Sequence, residues 1–334
     1  MIALRMARVR ALVVALAMLV VGVAVAACGD SNESPSSDRA DTPRIYMLWP
    51  SFESEGYIQQ KTGAEAAIAE LGDKVEVKLD SGTSRASAND QIRKIDSAIT
   101  QQYDVIALNT GAVGAELVPA VERAQAQGIK VMTFDQSVPG ADVETYIQFD
   151  GEQDGRLMGE YMTSVLPDGG EVGIVNCFAE NPLIKAINSG IEQGLAGSDV
   201  RIVARLDALC DPSRARTAAE NMITAHPSLK GIFALWDVQA MGTIPAVEKK
   251  GEPFFLVGGG GERDALELIA RGGALDASTD AHFPEFGRMA VETAYALAQG
   301  RTVEPEIKMP FDIVTRDNAA DVLAGVDSAL AGGS

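Results

Sequence analysis

From residue 44 onward, short runs of five or six apolar residues alternate with longer amphipathic stretches. The short runs fit buried strands, and the longer stretches, with apolar residues every three or four positions, fit helices packed on a sheet. This alternation predicts βαβ units and parallel sheets. The predicted strands cover 44–49, 74–79, 104–108, 130–134, 143–148, 171–176, 200–205, 231–235, 254–258 and 274–278. The predicted helices cover 54–71, 85–101, 113–127, 151–165, 182–196, 212–225, 238–250, 262–271 and 285–299.

Polar and small residues collect directly after several of these strands, at 49–55, 109–111, 135–136, 176–181, 236–237 and 258–262. In open parallel sheets, ligands bind outside the carboxyl ends of the strands. The pattern therefore predicts a ligand site on these loops. The glycine run 258–261 lacks the Lys and Ser or Thr of a phosphate-binding loop, so we interpret it as a tight turn that allows close backbone approach.

The N-terminal segment has the three parts of an export signal in order. Arg5, Arg8 and Arg10 precede an apolar run at 11–23, and the small-residue sequence Val25–Cys28 follows it. Such an order is typical of a signal peptide. A membrane-spanning helix is the alternative, but the run is short against the about 17 to 25 residues that a span needs.

We therefore predict a lipoprotein signal peptide at 1–27, with lipid on the thiol and amine of Cys28. Residues 28–43 are rich in Ser, Asp, Asn and Pro, which predicts a flexible tether. The chain is then exported and anchored on the outer face of the cytoplasmic membrane, and the lipid is its only membrane contact.

The formal net charge of −19 becomes more negative once the leader, with three arginines and no acid, is removed. An acidic chain of this kind argues against binding to nucleic acid and against adsorption to anionic lipid. The about 290 residues after the tether exceed one ordinary domain and suit two lobes.

The cysteines and histidines limit which disulfide, metal-binding and catalytic roles the chain can have. With Cys28 lipidated, Cys177 and Cys210 either form a disulfide in an oxidising compartment or stay as two buried free thiols. His226 and His282 lack the spaced partners of a zinc site. Neither Gly-x-Ser-x-Gly nor His-Glu-x-x-His occurs. We predict no metal, no cofactor and no catalysis.

Six segments together resemble the ribose-binding branch of the type I periplasmic sugar-binding family, in the order of that family and at nearly its spacing. They are Tyr103–Leu108, Gly114–Ala126, Gly128–Asp135, Gly155–Tyr161, Asn221–Pro227 and Gly287–Ala294. The resemblance extends over about residues 44–318. It implies an α/β fold of two Rossmann-like lobes with parallel sheets, whose three hinge crossings let them close around a small molecule.

The resemblance also implies where the lobes divide. The three crossings are expected near Phe149-Asp150, His282-Phe283 and Phe311-Asp312. The N-terminal lobe then comprises 44–149 and 283–311, and the C-terminal lobe comprises 150–282 and 312–318. A C-terminal tail, 319–334, follows.

Ligand contacts follow from the resemblance position by position. Asp135 matches the carboxylate that in the family accepts hydrogen bonds from sugar hydroxyls, and Gln136 stands where an arginine is usual. The resemblance implies six further ligand-binding positions, each with a residue that differs from the one usual in the family. Tyr57 and Cys210 replace phenylalanines, and Lys185 replaces an arginine. Trp236 replaces an asparagine, Gly260 replaces an aspartate and His282 replaces a glutamine. Trp49 joins this set because it ends the first strand.

Ordinary structural roles compete with these interpretations. Trp49 and Trp236 fit core packing near a strand end, and Lys185 fits a solvated helix position. Asp135 fits a turn cap, and His282 fits a purely structural contact at a crossing.

A cleft with Asp135 as its one mapped carboxylate is expected to bind a small sugar or polyol, and a small carboxylic or aromatic acid facing Lys185 is the alternative. We expect a monomeric solute-binding protein that passes its ligand to the permease of an ABC importer by hinge closure. A sensor that feeds a chemoreceptor or kinase is the alternative.

Overall fold

The computed structural model of the protein describes residues 42–250 and 253–332. The predicted signal peptide, Cys28 and the tether up to residue 41 lie outside the described residues. Among the helices that the structure describes, none combines the length and the apolar character that crossing a membrane requires.

The first lobe is built on a six-stranded, fully parallel sheet with the strand order β11-β5-β4-β3-β1-β2. Elements are numbered along the chain. The strands are β1 (Arg44–Trp49), β2 (Glu76–Ser81), β3 (Val105–Leu108), β4 (Lys130–Phe134), β5 (Tyr146–Phe149) and β11 (Glu306–Met309). The helices are α1 (Glu55–Leu71), α2 (Ala88–Thr100), α3 (Val118–Ala126) and α9 (Phe283–Ala298), with short 3-10 turns at Gly72–Lys74 and Gly114–Leu117.

The second lobe has a sheet of the same size with the order β12-β10-β9-β8-β6-β7, in which only β12 runs antiparallel to its neighbour. The strands are β6 (Gly170–Asn176), β7 (Val200–Asp207), β8 (Leu229–Ala234), β9 (Phe255–Val257), β10 (Ala277–Asp280) and β12 (Asp312–Thr315). The helices are α4 (Gly151–Val165), α5 (Pro182–Gly194), α6 (Pro212–Ala225), α7 (Asp237–Lys250), α8 (Arg263–Ala270) and α10 (Ala319–Gly332).

Both sheets are covered on both faces, as parallel sheets require. In β1 the side chains of Ile45 and Met47 join the core under α1 and α9, whereas Tyr46 and Leu48 join the core under α2 and α3. This two-residue alternation, with both faces buried, explains why β1 is a continuous apolar run. Equivalent pairs of cores lie on either side of the second sheet.

The chain passes between the two sheets three times, from β5 to α4, from β10 to α9 and from β11 to β12. These passages lie at 149–151, 280–283 and 309–312, where the crossings are expected from the sequence. The predicted fold class, two α/β lobes with mostly parallel sheets, is confirmed.

The C-terminal residues differ from the prediction. The expected tail, 319–334, forms helix α10 over Ala319–Gly332, with Val322, Leu323, Val326 and Leu330 on one face against the second-lobe core. The spacing of these residues is helical. Strands β11 and β12 also lack a predicted counterpart, because each has only four residues and several are exposed.

Helices α4 and α5 touch along four glycines, which we call the glycine seam: Gly155 and Gly159 of α4, and Gly190 and Gly194 of α5. A Cβ atom at Gly155 would lie 1.9 Å from the carbonyl oxygen of Ile187. Each of the four would place a Cβ atom within 2.6 Å of a carbonyl oxygen on the facing helix. The backbones therefore meet at a distance that no larger residue permits.

Replacing Gly155 with Ala is expected to lower the free energy of unfolding by about 1 to 3 kcal/mol, because the helices must separate to admit the methyl group. Gly325 in α10 is the matched control, since a Cβ atom there meets nothing. Gly325→Ala should leave stability unchanged or raise it by up to about 1 kcal/mol. Urea unfolding followed by circular dichroism measures the free energy of unfolding of both variants. Equal effects would contradict the claim that the glycine seam has no room for a methyl group.

Candidate functional site

The carboxylate of Asp135 is the centre of a buried polar cluster at the end of β4. Its Oδ2 accepts hydrogen bonds from Gln60 Nε2 at 3.3 Å and Asn109 Nδ2 at 3.0 Å, and its Oδ1 accepts one from Gln136 Nε2 at 3.2 Å. The backbone is held in the left-handed region, with φ 63°, and the Tyr146 hydroxyl donates to the Asp135 carbonyl oxygen at 2.8 Å. Burial raises the pKa of Asp135, and the hydrogen bond from Gln60 is the largest influence that lowers it.

The donors around Asp135 are uncharged amides, which leaves acceptor capacity on the carboxylate. A carboxylate offers about four acceptor positions, and the three amides named above use three of them. Only 8 % of the residue is exposed. A hydroxyl group of a bound molecule is the kind of donor that suits the remaining position.

Tyr57 and Arg85 lie beside this cluster. The Arg85 guanidinium stands over the Tyr57 ring, 5.1 Å from its centroid. The Tyr57 hydroxyl is buried and makes no hydrogen bond of good geometry. Burial and then the Asp135 carboxylate raise its pKa, while Arg85 and Asn109 oppose the rise. A buried hydroxyl without a partner costs about 1 to 3 kcal/mol, so a bound polar molecule would stabilise this group.

Trp49 lies in the first-lobe core and not on the cleft surface. Its ring is fully buried and packs edge-on against Phe134, with centroids 5.0 Å apart. Its Nε1 donates to Gln60 Oε1 at 3.0 Å. The predicted ligand contact is thus replaced by an indirect role, because Trp49 orients the amide that in turn binds Asp135.

From the second lobe, Trp236 and Gly260 come together at the boundary between the lobes. Trp236 is partly exposed and packs against core residues of both lobes. Gly260 has φ 118°, and a Cβ atom there would lie 3.4 Å from the Trp236 ring. The buried carboxylate of Asp237 supports the loop by accepting hydrogen bonds from Ser278 Oγ at 2.7 Å and from the Glu262 backbone N–H at 2.9 Å. The glycine thus permits a turn that lies directly against the indole.

Two other predicted ligand contacts, Lys185 and Cys210, are engaged with partners within the protein. The Lys185 side chain is 58 % exposed and pairs with Glu180 at 2.7 Å. Cys210 forms a disulfide with Cys177, their Cα atoms 4.6 Å apart. The structure therefore gives Lys185 a solvent-facing ion pair and gives Cys210 a covalent structural role.

His282 sits at the second crossing, in left-handed conformation with φ 49°. Its Nδ1 lies 3.2 Å from Asp280 Oδ2 and its Nε2 lies 3.2 Å from Asp312 Oδ2. Because Asp280 and Asp312 are paired in neighbouring strands, the imidazole joins the second and third crossings. The hydrogen bond to Asp280 raises the pKa of His282 to about 9, against the opposing effect of burial. The predicted ligand contact is in this structure a hinge contact.

The raised pKa of His282 predicts a pH-dependent stability. A group whose pKa rises from 6.5 to about 9 on folding contributes stability that is complete below pH 6.5 and lost as pH rises through 9. We expect the wild type to melt above His282→Gln at pH 6, and the gap to narrow by pH 9.5. Buried Asp154 and Glu262, each with a pKa raised to about 7, act in the same direction but are common to both proteins. A gap independent of pH would refute the assignment.

Hydrogen bonds also join the two lobes away from the hinge. Asn181 Nδ2 of the second lobe donates to Gln136 Oε1 of the first at 3.2 Å. The Arg263 backbone N–H donates to Glu55 Oε1 at 2.8 Å. Since both join residues beside the cleft, the structure represents a state in which the lobes meet.

A cavity of about 400 Å³ lies between the lobes next to the first of these contacts. Groups from both lobes line it, among them Thr110, Gln136, Tyr146, Asp150, Asn181 and Leu183. The Gln136 amide thus touches the cavity, the second lobe and the Asp135 carboxylate at once. One side chain, that of Gln136, therefore links the contact between the lobes to the orientation of the Asp135 carboxylate.

Of the residues predicted as ligand contacts, the structure brings Tyr57, Asp135 and Gln136 together, and it adds Gln60, Asn109 and Arg85. Asn109 stands in a polar loop directly after β3, which is a usable signal. Gln60 and Arg85 give no such signal, because a helix residue and a loop residue become neighbours of Asp135 only through folding. Within the described residues, no group of three or more His, Cys, Asp or Glu side chains could hold a metal ion.

Comparisons with known proteins agree with this architecture. The model of the periplasmic binding protein domain matches residues 45–302. The chain is 27 % identical over 265 residues to the ribose import binding protein of Bacillus subtilis, covering 78 % of this chain and 83 % of that protein.

Two solved structures share the fold. A solute-binding protein of Actinobacillus succinogenes with bound D-allose has a TM-score of 0.77 at 21 % identity, covering 84 % of this chain and 100 % of the other. The Caulobacter myo-inositol binding protein has a TM-score of 0.74 at 20 % identity, covering 85 % and 96 %. With the family model matching most of the chain, this protein belongs to the type I periplasmic binding proteins, in their ribose and sugar-binding branch.

Proposed function

We propose that this protein is an exported solute receptor that encloses a small, uncharged polyhydroxy molecule between its lobes and delivers it to an ABC importer. The observation that carries the proposal is the Asp135 carboxylate, buried at the cleft and surrounded by neutral amide donors. Such a group binds hydroxyl protons strongly, because hydrogen bonds to a charged acceptor contribute about 1.5 to 3 kcal/mol.

The composition of the cleft favours a neutral ligand over an acid. Lys185, which could have faced an anion, is exposed and paired with Glu180. Gln136 and Asn181 at the cavity are amides, which donate and accept equally well. The Arg85 guanidinium lies over the Tyr57 ring near Asp135, and Lys308 at the cavity is accompanied there by the carboxylates of Asp150 and Glu152. The names of the similar proteins, with ribose, D-allose and myo-inositol, support the same class of ligand.

Capture would proceed by hinge closure at the three crossings, with the ligand contacting both lobes in the closed state. Tyr57, Asp135 and Asn109 would act from the first lobe, and Trp236 from the second. Lipid on Cys28 and the tether would hold the receptor beside its importer and raise the local concentration there. We further expect the receptor to act as a monomer.

A thermal-shift screen of the full chain with D-ribose, D-allose, myo-inositol and small carboxylic acids tests the proposal. A ligand at about 100 times its dissociation constant stabilises the folded state by about 2.7 kcal/mol, which appears as a higher melting temperature. A shift with at least one polyhydroxy compound supports the proposal. A shift with acids alone, or with none of these compounds, would overturn the proposed ligand class.

A further inference from the structure

Helix α10 lies beyond the part of the chain that the family model matches, which ends at residue 302. It also follows the last strand of the second sheet, β12, so it completes neither sheet. Its position is nevertheless well defined by contacts with both lobes. These contacts suggest a role that the two-lobe fold itself does not require.

The helix is fixed to the second lobe in two ways. Val326 is buried in the second-lobe core, and Val322, Leu323 and Leu330 pack against the same core. Asp327 Oδ1 accepts a hydrogen bond from Arg263 Nε of α8 at 2.7 Å. Apolar contact and an ion pair thus hold one face of α10 on α8.

The same helix also lies against α1 of the first lobe. Arg263 of α8 contacts both other helices. Its side chain donates to Asp327 of α10, and its backbone N–H donates to Glu55 of α1 at 2.8 Å. The three helices α1, α8 and α10 therefore meet at one residue. A helix anchored on one lobe that reaches the other makes the second contact only when the lobes are together.

We propose that α10 is an interlobe strap, which favours the closed arrangement of the lobes before any ligand is bound. A contact that exists in only one of two states shifts the population toward that state. The cavity lining includes no residue of α1, α8 or α10, so the strap holds the lobes together without covering the cavity. The inference rests on the hinge motion of the proposed function.

The tryptophans supply a readout that needs no ligand. Trp49 is fully buried, whereas Trp236 is partly exposed and packs between the lobes. Acrylamide quenching of the free protein therefore reports mainly on Trp236, whose exposure rises when the lobes part. Small-angle X-ray scattering measures the accompanying change in radius of gyration.

Ending the chain after Asn318 removes the strap. We expect the ratio of open to closed molecules to rise about tenfold or more, with stronger quenching and a larger radius of gyration. A truncated chain that is folded by circular dichroism but has the quenching and radius of the full chain would overturn the proposal.

Because truncation uncovers core residues of the second lobe and can prevent folding, a point variant provides the second test. Asp327→Asn keeps the helix and removes its ion pair with Arg263, and Glu267→Gln is the matched control that removes the other carboxylate paired with Arg263, within α8. An exposed ion pair supports a change of up to about fivefold in the open-to-closed ratio. Stronger quenching in Asp327→Asn alone supports the strap, and equal quenching in the two variants refutes it.

Failure of the strap and failure of the proposed function are distinguishable. The quenching experiment uses the free protein and is independent of ligand identity. The thermal-shift screen detects binding whether or not α10 affects the lobes.

Discussion

Asp135→Asn is expected to weaken ligand binding by about 10- to 150-fold, because a hydrogen bond from a ligand hydroxyl to the charged carboxylate contributes about 1.5 to 3 kcal/mol. The new amide also turns two N–H donors toward a site that already contains the amide donors of Gln60, Asn109 and Gln136. The N–H groups of the new amide then face the N–H groups of these neighbours, and at least one of the amides loses its hydrogen-bond acceptor.

The free protein should lose little stability, because the loss of an amide hydrogen bond and the removal of a buried charge oppose each other. Burial raises the pKa of Asp135, so the buried charge itself opposes folding, and a neutral amide removes that cost. Asp142→Asn is the matched control, since Asp142 is an exposed residue of the following loop. Isothermal titration with the compound that gives the largest thermal shift measures the affinity, and equal affinities for the two variants would exclude Asp135 as a ligand contact.

Loss of the Cys177–Cys210 disulfide is expected to lower the free energy of unfolding by about 3 to 4 kcal/mol, from the loop-closure entropy of a bridge of this size. The two cysteines are 33 residues apart in sequence. The bridge also joins the ends of β6 and β7, where Phe178, Leu209 and Cys210 all have positive φ. These strained positions depend on the bridge and on the Asp207 carboxylate, which accepts hydrogen bonds from the backbone N–H groups of Phe178 and Leu209.

Urea unfolding with and without dithiothreitol measures this contribution. The double variant Cys177→Ala, Cys210→Ala is the control, because its stability should equal that of the reduced wild type and should not respond to the reductant. A wild type whose unfolding midpoint is the same in both conditions would show that the bridge adds nothing to stability.

The fold could be predicted largely from the pattern of apolar residues, because the short apolar runs of strands and the three-to-four-residue spacing of helices are both clear in this chain. β1 and β4 are continuous apolar runs that end at polar loops, and their boundaries in the structure match those predicted. Strand β2 begins two residues later than predicted, since Gly72–Lys74 forms a 3-10 turn first. The sequence does not predict helix α10, because its alanines and glycines give its apolar face little contrast, although Val322, Val326 and Leu330 have helical spacing.

The site was harder to predict, because it depends on which way each side chain points. Trp49 shares its strand face with Ile45 and Met47, and that face packs under α1 and α9, so its place at a strand end did not bring it to the cleft. Lys185 lies next to Ile184, whose side chain is buried, and one residue along a helix turns the side chain by about 100°. Asp135 is predicted through the family resemblance, and its place directly after β4 puts it in the polar cluster of the structure.

The glycine seam has a mechanical consequence for the cleft. Helix α4 begins at Gly151, directly after the first crossing, and α5 begins beside Asn181, which touches the first lobe through Gln136. Because their backbones are in contact, neither helix can slide or tilt against the other without steric overlap. If the lobes rotate about the first crossing during the proposed closure, α4 and α5 would therefore move as one unit and keep Asn181 at a fixed distance from that crossing.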